Sequence, residues 1–286
     1  MTATAQEPSR AAAGTTVLSL RGINKRFGAV RALTDVDFEV RLGEVVALVG
    51  DNGAGKSTLV KVIAGVGPAD DGEILWEGRP VTIPTPHTAQ DLGLATVFQD
   101  LALCDNLDVV GNLFLGQETL RAGLMDEVEM ERRSLELLRQ LAAKIPSVRT
   151  RVAGLSGGQR QVVAISRSLL GRPKVVMLDE PTAALGVAQT AEVLNLVERL
   201  REQGLGIVLI SHNLADVFAV ADRIVVLRLG RNGGEYRVGE VDQEDVVAAI
   251  TGAKDNVVAE RAARRAHVTP PAGAAADQEM GTEGAR

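Results

Sequence analysis

The run Gly50-Asp51-Asn52-Gly53-Ala54-Gly55-Lys56-Ser57-Thr58, GDNGAGKST, has the residue types and spacing to hold a phosphate. Gly50 and Gly55 enclose four residues, and Lys56 and Ser57 follow at once. Glycines let backbone N–H groups turn inward around phosphate oxygens, and the positive end of a following helix adds to the attraction. In this pattern Lys56 reaches the β and γ phosphates of a nucleotide, and the Ser57 hydroxyl binds Mg²⁺. A second run, KVVMLDE at 174–180, supplies the complementary carboxylates. Asp179 suits the Mg²⁺ shell. Glu180 is placed to orient or deprotonate an attacking water, because a carboxylate at an apolar strand end is costly without a partner or a task. Alone, the pair also reads as a solvated turn before Pro181; the phosphate loop argues against that.

A third run, GLSGGQRQ at 154–161, is again glycine-rich. No buried strand precedes it and no lysine stands in phosphate-loop register, so it makes a poor nucleotide site of its own. It does open a helix. The Ser156 hydroxyl, the amides of Gly157 and Gly158 and the helix N-terminus can together bind a phosphate presented by another molecule. Taken alone, the pentapeptide reads better as a flexible helix cap.

The elements that position these runs follow from hydrophobic periodicity. Val36, Phe38 and Val40 alternate with polar neighbours, as on a half-exposed antiparallel strand. Apolar runs at VVALV (45–49), KVVML (174–178), GIVLI (206–210) and RIVVL (223–227) read as buried strands of a mostly parallel sheet, separated by helix-length segments. Leu135, Leu138 and Leu141 recur every three positions and predict one helical face; Val162, Ile165 and Leu169 predict another after GLSGGQ. The expected fold is α/β, a P-loop NTPase core with a mostly parallel sheet, an antiparallel β subdomain and a helical insertion over about residues 100–170. Residues 1–14 and 253–286, rich in Ala, Gly, Pro and charge, are expected to be disordered, apart from a short helix over 259–266. No internal repeat is visible, so 15–252 forms one nucleotide-binding unit.

Composition narrows the function classes. A net charge of −6 gives no basic footprint for nucleic acid. Cys104 is the only cysteine, which excludes an internal disulfide and fits a reducing cytoplasm. No apolar run approaches the roughly 18 residues that span a bilayer, and the N-terminus lacks the features of a signal peptide. His87, His212 and His267 are scattered, without companions at zinc-site spacing.

With all these motifs in order, residues 15–252 resemble the ATP-binding cassette of ABC transporters. The order is phosphate loop, Gln99 in TVFQD, LSGGQ, VVMLDE, then His212 in ISHN. In that family two cassettes pack head to tail, and each LSGGQ closes over the γ-phosphate of ATP held by the other's phosphate loop. The resemblance implies that Gln99 contacts Mg²⁺ or water and senses the membrane partner, that His212 contacts the γ-phosphate, and that Phe27 stacks on adenine, where the family often has Tyr. One departure stands out: Gly186 in PTAALGVAQT replaces the Asp that usually contacts the opposing cassette, which puts cross-dimer coupling in doubt.

The resemblance further implies ATP hydrolysis with Mg²⁺, a second cassette as partner in a homodimer, separate transmembrane permease subunits, indirectly a solute-binding protein, and a peripheral place on the cytoplasmic face of the membrane. IPTP, GLATVFQ and NLFLGQE look like the cassettes of monosaccharide importers of the ribose, xylose and fructose type. Those often fuse two cassettes, whereas this chain has one. Two alternatives stay open: a soluble ABC protein acting on ribosomes or DNA, and a regulatory ATP-binding module with low turnover, for which Gly186 is the hint.

Overall fold

The computed structural model describes residues 14–253. The expectations for residues 1–13 and 254–286, including the helix over 259–266, lie outside the described residues. The chain opens with a long antiparallel hairpin, β1 (Thr16–Phe27) and β2 (Val30–Arg41), after which β3 (Val45–Val49) runs into α1 (Lys56–Ile63). Strands β4 (Asp71–Trp76) and β5 (Arg79–Val81) return to the hairpin, and α2 (Pro86–Leu92) leads to β6 (Leu94–Val97). A helical block follows: α3 (Val109–Phe114), the small hairpin β7 (Leu120–Arg121) and β8 (Leu124–Met125), α4 (Glu127–Gln140) and α5 (Gly157–Leu169). The remainder is β9 (Val175–Asp179), α6 (Val187–Glu202), β10 (Gly206–Ile210), α7 (Leu214–Val220), β11 (Arg223–Arg228), β12 (Arg231–Arg237) and α8 (Gln243–Thr251).

Two principal sheets result. The first, in the order β2-β1-β4-β5, is antiparallel throughout. On β2, Val36, Phe38 and Val40 are buried while Asp35 and Asp37 face solvent, the alternation that its sequence requires. The second sheet has the order β12-β11-β3-β10-β9-β6, with only β12 antiparallel. All five residues of β3 and all five of β10 are buried, because this sheet is covered on both faces. Val46 and Leu48 enter the core shared with α1 and the antiparallel sheet. Val45, Ala47 and Val49 enter the opposite core, filled by α5, α6, α7 and α8.

The helical block has a third core, made by Val109, Leu113 and Phe114 of α3, Met130 and Leu138 of α4, and Val163 of α5. Here the expected face of α4 needs correction. Leu138 and Leu141 are buried, but Leu135 is exposed, and the inner stripe runs Met130, Ser134, Leu138. Ser134 is tolerated there because its Oγ donates to the Met130 carbonyl at 2.8 Å. A polar residue that satisfies itself on its own helix leaves no apolar signal in the sequence. The face of α5 follows its pattern, with Val162, Ile165 and Leu169 buried.

Candidate functional site

Four segments meet the carboxyl ends of neighbouring parallel strands. The phosphate loop follows β3, His212 lies two residues past β10, Asp179 ends β9 with Glu180 next, and Gln99 lies two residues past β6. Because the strand order is β3-β10-β9-β6, these residues stand along one edge of the sheet, where open α/β folds bind ligands.

The phosphate loop is fixed from several sides. Gly50 has φ +151°, and a Cβ there would stand 2.2 Å from the Leu227 carbonyl oxygen; Gly55 has φ +107° and a Cβ would meet the Ala32 oxygen at 2.8 Å. Only glycine fits either position. Lys56 Nζ donates to the carbonyls of Gly50 at 2.6 Å and Asp51 at 3.1 Å, so the ammonium is held at the mouth of its own loop. Asp51, Asn52, Gly53, Ala54, Gly55, Lys56, Ser57 and Thr58 line a cavity of about 370 Å³, with Val30, Arg31 and Ala32 of the first hairpin and Leu229-Gly230 after β11. Sequence reasoning missed Leu229 and Gly230. The Gly230 N–H donates to Ala54 O at 2.9 Å and its carbonyl accepts from Thr34 N at 2.7 Å, so this turn joins the loop to the hairpin. No local pattern announces a contact made across so much chain.

Phe27 ends β1 opposite Val30. The residue is 56% exposed, with the Lys25 ammonium 5.6 Å from the ring centroid. It stands beside the cavity and does not line it.

Asp179 is half-buried, and burial pushes its carboxyl above the ordinary range; the charge of Glu180 adds to this, while Lys56 and Lys61 oppose it. Glu180 adopts φ +52°, rare for a residue with a side chain. Its N–H donates to Ile210 O at 2.9 Å, and its Oε2 accepts from His212 Nδ1 at 2.8 Å. The Glu180 side chain is 15% exposed and that of His212 73%, so the ring covers the carboxylate from the solvent side. Gln99 is exposed and has no hydrogen bond to this pair.

The second glycine loop lies elsewhere. Ser156 caps α5 reciprocally: its Oγ accepts from Gln159 N at 3.3 Å and its N–H donates to Gln159 Oε1 at 3.0 Å. Gly157 and Gly158 press on the start of α6, where added Cβ atoms would meet Leu185 Cδ2 and Gln189 Cβ, each at 3.0 Å. None of these loop residues lines the phosphate-loop cavity. Gly186, at the N-cap of α6, has φ −74° and ψ 163°, an ordinary cap conformation and not a strained one.

Residues 33–183 match the model of the ABC transporter family. The chain is 42% identical to the xylose/arabinose import ATP-binding protein of Sulfolobus acidocaldarius over 82% of its length and 94% of that protein. The chain belongs to the ABC transporter family. It is 44% identical to the fructose import ATP-binding protein of Rhizobium meliloti over 88% of its length and 96% of that protein. A solved dimeric ATP-binding cassette in a post-hydrolysis state, bound to ADP and Pi, is 25% identical with a TM-score of 0.65, over 77% of this chain and 98% of that one.

As a member of this family the protein is an ATP-binding cassette and an ATPase. Among its described residues no helix is long and apolar enough to cross a membrane.

Proposed function

We propose that this cassette hydrolyses ATP at a site it completes with a second copy of itself, and that it drives import of a monosaccharide through separate permease subunits at the cytoplasmic face of a membrane. The observation that carries the reading is the pairing of Glu180 with His212 beside the phosphate loop, while LSGGQ stands outside that cavity. A loop able to bind phosphate, yet absent from its own chain's phosphate site, is suited to the site of a partner. The dimeric cassette with ADP and Pi supports this arrangement, and the names of the xylose/arabinose and fructose relatives support sugar import.

In this reading the amides of Gly50–Thr58 and the Lys56 ammonium hold the phosphates, Phe27 meets adenine, and Ser156, Gly157 and Gly158 cover the partner's γ-phosphate. Glu180 takes a proton from water as its oxygen bonds to the γ-phosphorus and the bond to the β-phosphate oxygen breaks. His212 holds the carboxylate and faces the γ-phosphate. Ser57, Gln99 and Asp179 are oxygen donors of the kind Mg²⁺ prefers, and the raised proton affinity of Asp179 marks a carboxylate whose charge the protein leaves undercompensated. A cation bound there neutralises phosphate charge. Phe98 and Asp100, on either side of Gln99 in the chain, line the groove between β6 and α5, where a permease segment fits.

The test is the mass of wild type and Glu180→Gln by light scattering with Mg²⁺ and ATP, together with phosphate release. Glu180→Gln is expected to lose hydrolysis by about 10²–10³-fold or more and to accumulate as a dimer, whereas wild type dimerises transiently. If neither forms a dimer at high concentration, homodimeric closure is wrong. Slow wild-type turnover would favour the regulatory module.

A further inference from the structure

Two buried polar side chains behind the carboxylates take no part in the chemistry above. Thr182 is 9% and Asp216 7% exposed, and Thr182 Oγ1 donates to Asp216 Oδ2 at 2.7 Å. The bond joins the turn between β9 and α6 to the first turn of α7, two elements that follow the adjacent strands β9 and β10. A carboxylate taken out of water is retained where hydrogen bonds and a helix N-terminus favour it. Asp216 has both, so it is stable in place.

The turn it grips is one that needs gripping. Glu180 and Ala184 both have positive φ, +52° and +60°, a conformation that side-chain-bearing residues keep only when their surroundings impose it. Backbone bonds from Ala183 N to Glu180 O and Leu185 N to Thr182 O close the turn on itself, and the bond from Glu180 N to Ile210 O ties its first residue to the end of β10. None of these reaches α7. On the other side, Ser211 Oγ accepts from Asn213 N, and Asn213 Oδ1 accepts from Ala215 N, which ties His212 to the start of α7.

Thr182 is thus two residues past Glu180, and Asp216 is four past His212. We propose that Thr182 and Asp216 are positioning residues, a buried clamp that sets the separation between the Glu180 carboxylate and the His212 ring. The clamp acts through those two groups and touches no nucleotide. It rests on the reading of Glu180 as the base, and the measurements below separate the two.

Thr182→Val removes the hydroxyl at nearly constant volume, and Thr182→Ser keeps it. Each is measured for ATP turnover, for ATP affinity, and for the ¹⁵N resonance of His212 Nδ1 in nucleotide-free protein, assigned with His212→Gln. Thr182→Val is expected to lower kcat by about 10–100-fold, the effect of a small misplacement of a reacting group, with ATP affinity within about twofold. Its His212 resonance should shift toward that of Glu180→Ala, where the partner is absent. Thr182→Ser should keep the resonance and most of the rate. If Thr182→Val leaves both rate and resonance unchanged, the clamp is overturned. A lower rate with an unmoved resonance also overturns it, since the bond then only adds stability. Should Thr182→Val not fold, Thr182→Ala is read in the same way. If Glu180→Gln turns over like wild type, the base assignment fails, while the resonance still decides whether the clamp sets the geometry.

Discussion

The two glycine-rich loops of this cassette both begin a helix, yet they depend on glycine for different reasons. In the phosphate loop Gly50, Gly53 and Gly55 all have positive φ, and the atoms that would meet a Cβ at Gly50 and Gly55 include backbone carbonyls of β11 and the first hairpin. Such neighbours cannot turn aside, so the loop is built into the sheet. In the second loop Gly157 and Gly158 are helical, and a Cβ at either would meet chiefly the side chains of Leu185 and Gln189. That loop is a packing contact between α5 and α6. The first is therefore held by the backbone of the sheet, whereas the place of the second is set by how α5 packs against α6.

Substitutions at the glycines test this contrast, and the largest effect is expected at Gly50. Gly50→Ala combines a forbidden backbone conformation with a 2.2 Å approach to Leu227 O. It is expected to cost more than about 4 kcal/mol and to abolish nucleotide binding, measured by denaturant unfolding and by ATP titration. At Gly158 the neighbours are Gln189 Cβ and Cγ, at 3.0 and 3.2 Å. Gly158→Ala is expected to cost about 1–2 kcal/mol, overpacking offset by better helix propensity. Its ATP affinity as a monomer should match wild type while ATP-dependent dimerisation weakens. Equal losses of monomer affinity in both variants would remove the distinction between the loops.

The same contrast explains what was legible in the sequence. VVALV and GIVLI are β3 and β10 to the residue, because a strand buried on both faces must be apolar throughout. The phosphate loop, Asp179, Glu180 and His212 could be placed because each lies at the carboxyl end of such a strand or within two residues of it, and the 2.8 Å contact between Glu180 and His212 follows from β9 and β10 being neighbours. What could not be read depends on long-range contact or on self-satisfied polarity. Ser134 hides in the inner stripe of α4 through its bond to Met130 O. Leu229-Gly230 reaches the phosphate loop from far along the chain, and the Thr182–Asp216 bond spans 34 residues without a recurring spacing to announce it.

The smallest expected effect lies at Gly186, the glycine where the family resemblance leads one to expect Asp. A Cβ there meets nothing within 4 Å, and φ −74° with ψ 163° is the conformation that capping residues adopt. Gln189 Oε1 accepts from the Gly186 N–H at 3.4 Å, a long bond that holds the cap weakly. Gly186→Asp adds an acceptor for the first-turn N–H groups, places a negative charge at the positive end of α6 and reduces the freedom of the unfolded chain. Together these are expected to stabilise the monomer by about 0.5–1 kcal/mol, a rise in Tm of about 1–4 °C. Unlike Gly50, then, Gly186 is not required by the fold. A fall in Tm would mean that this turn needs glycine after all, and the second loop would then rest on a support as rigid as that of the first.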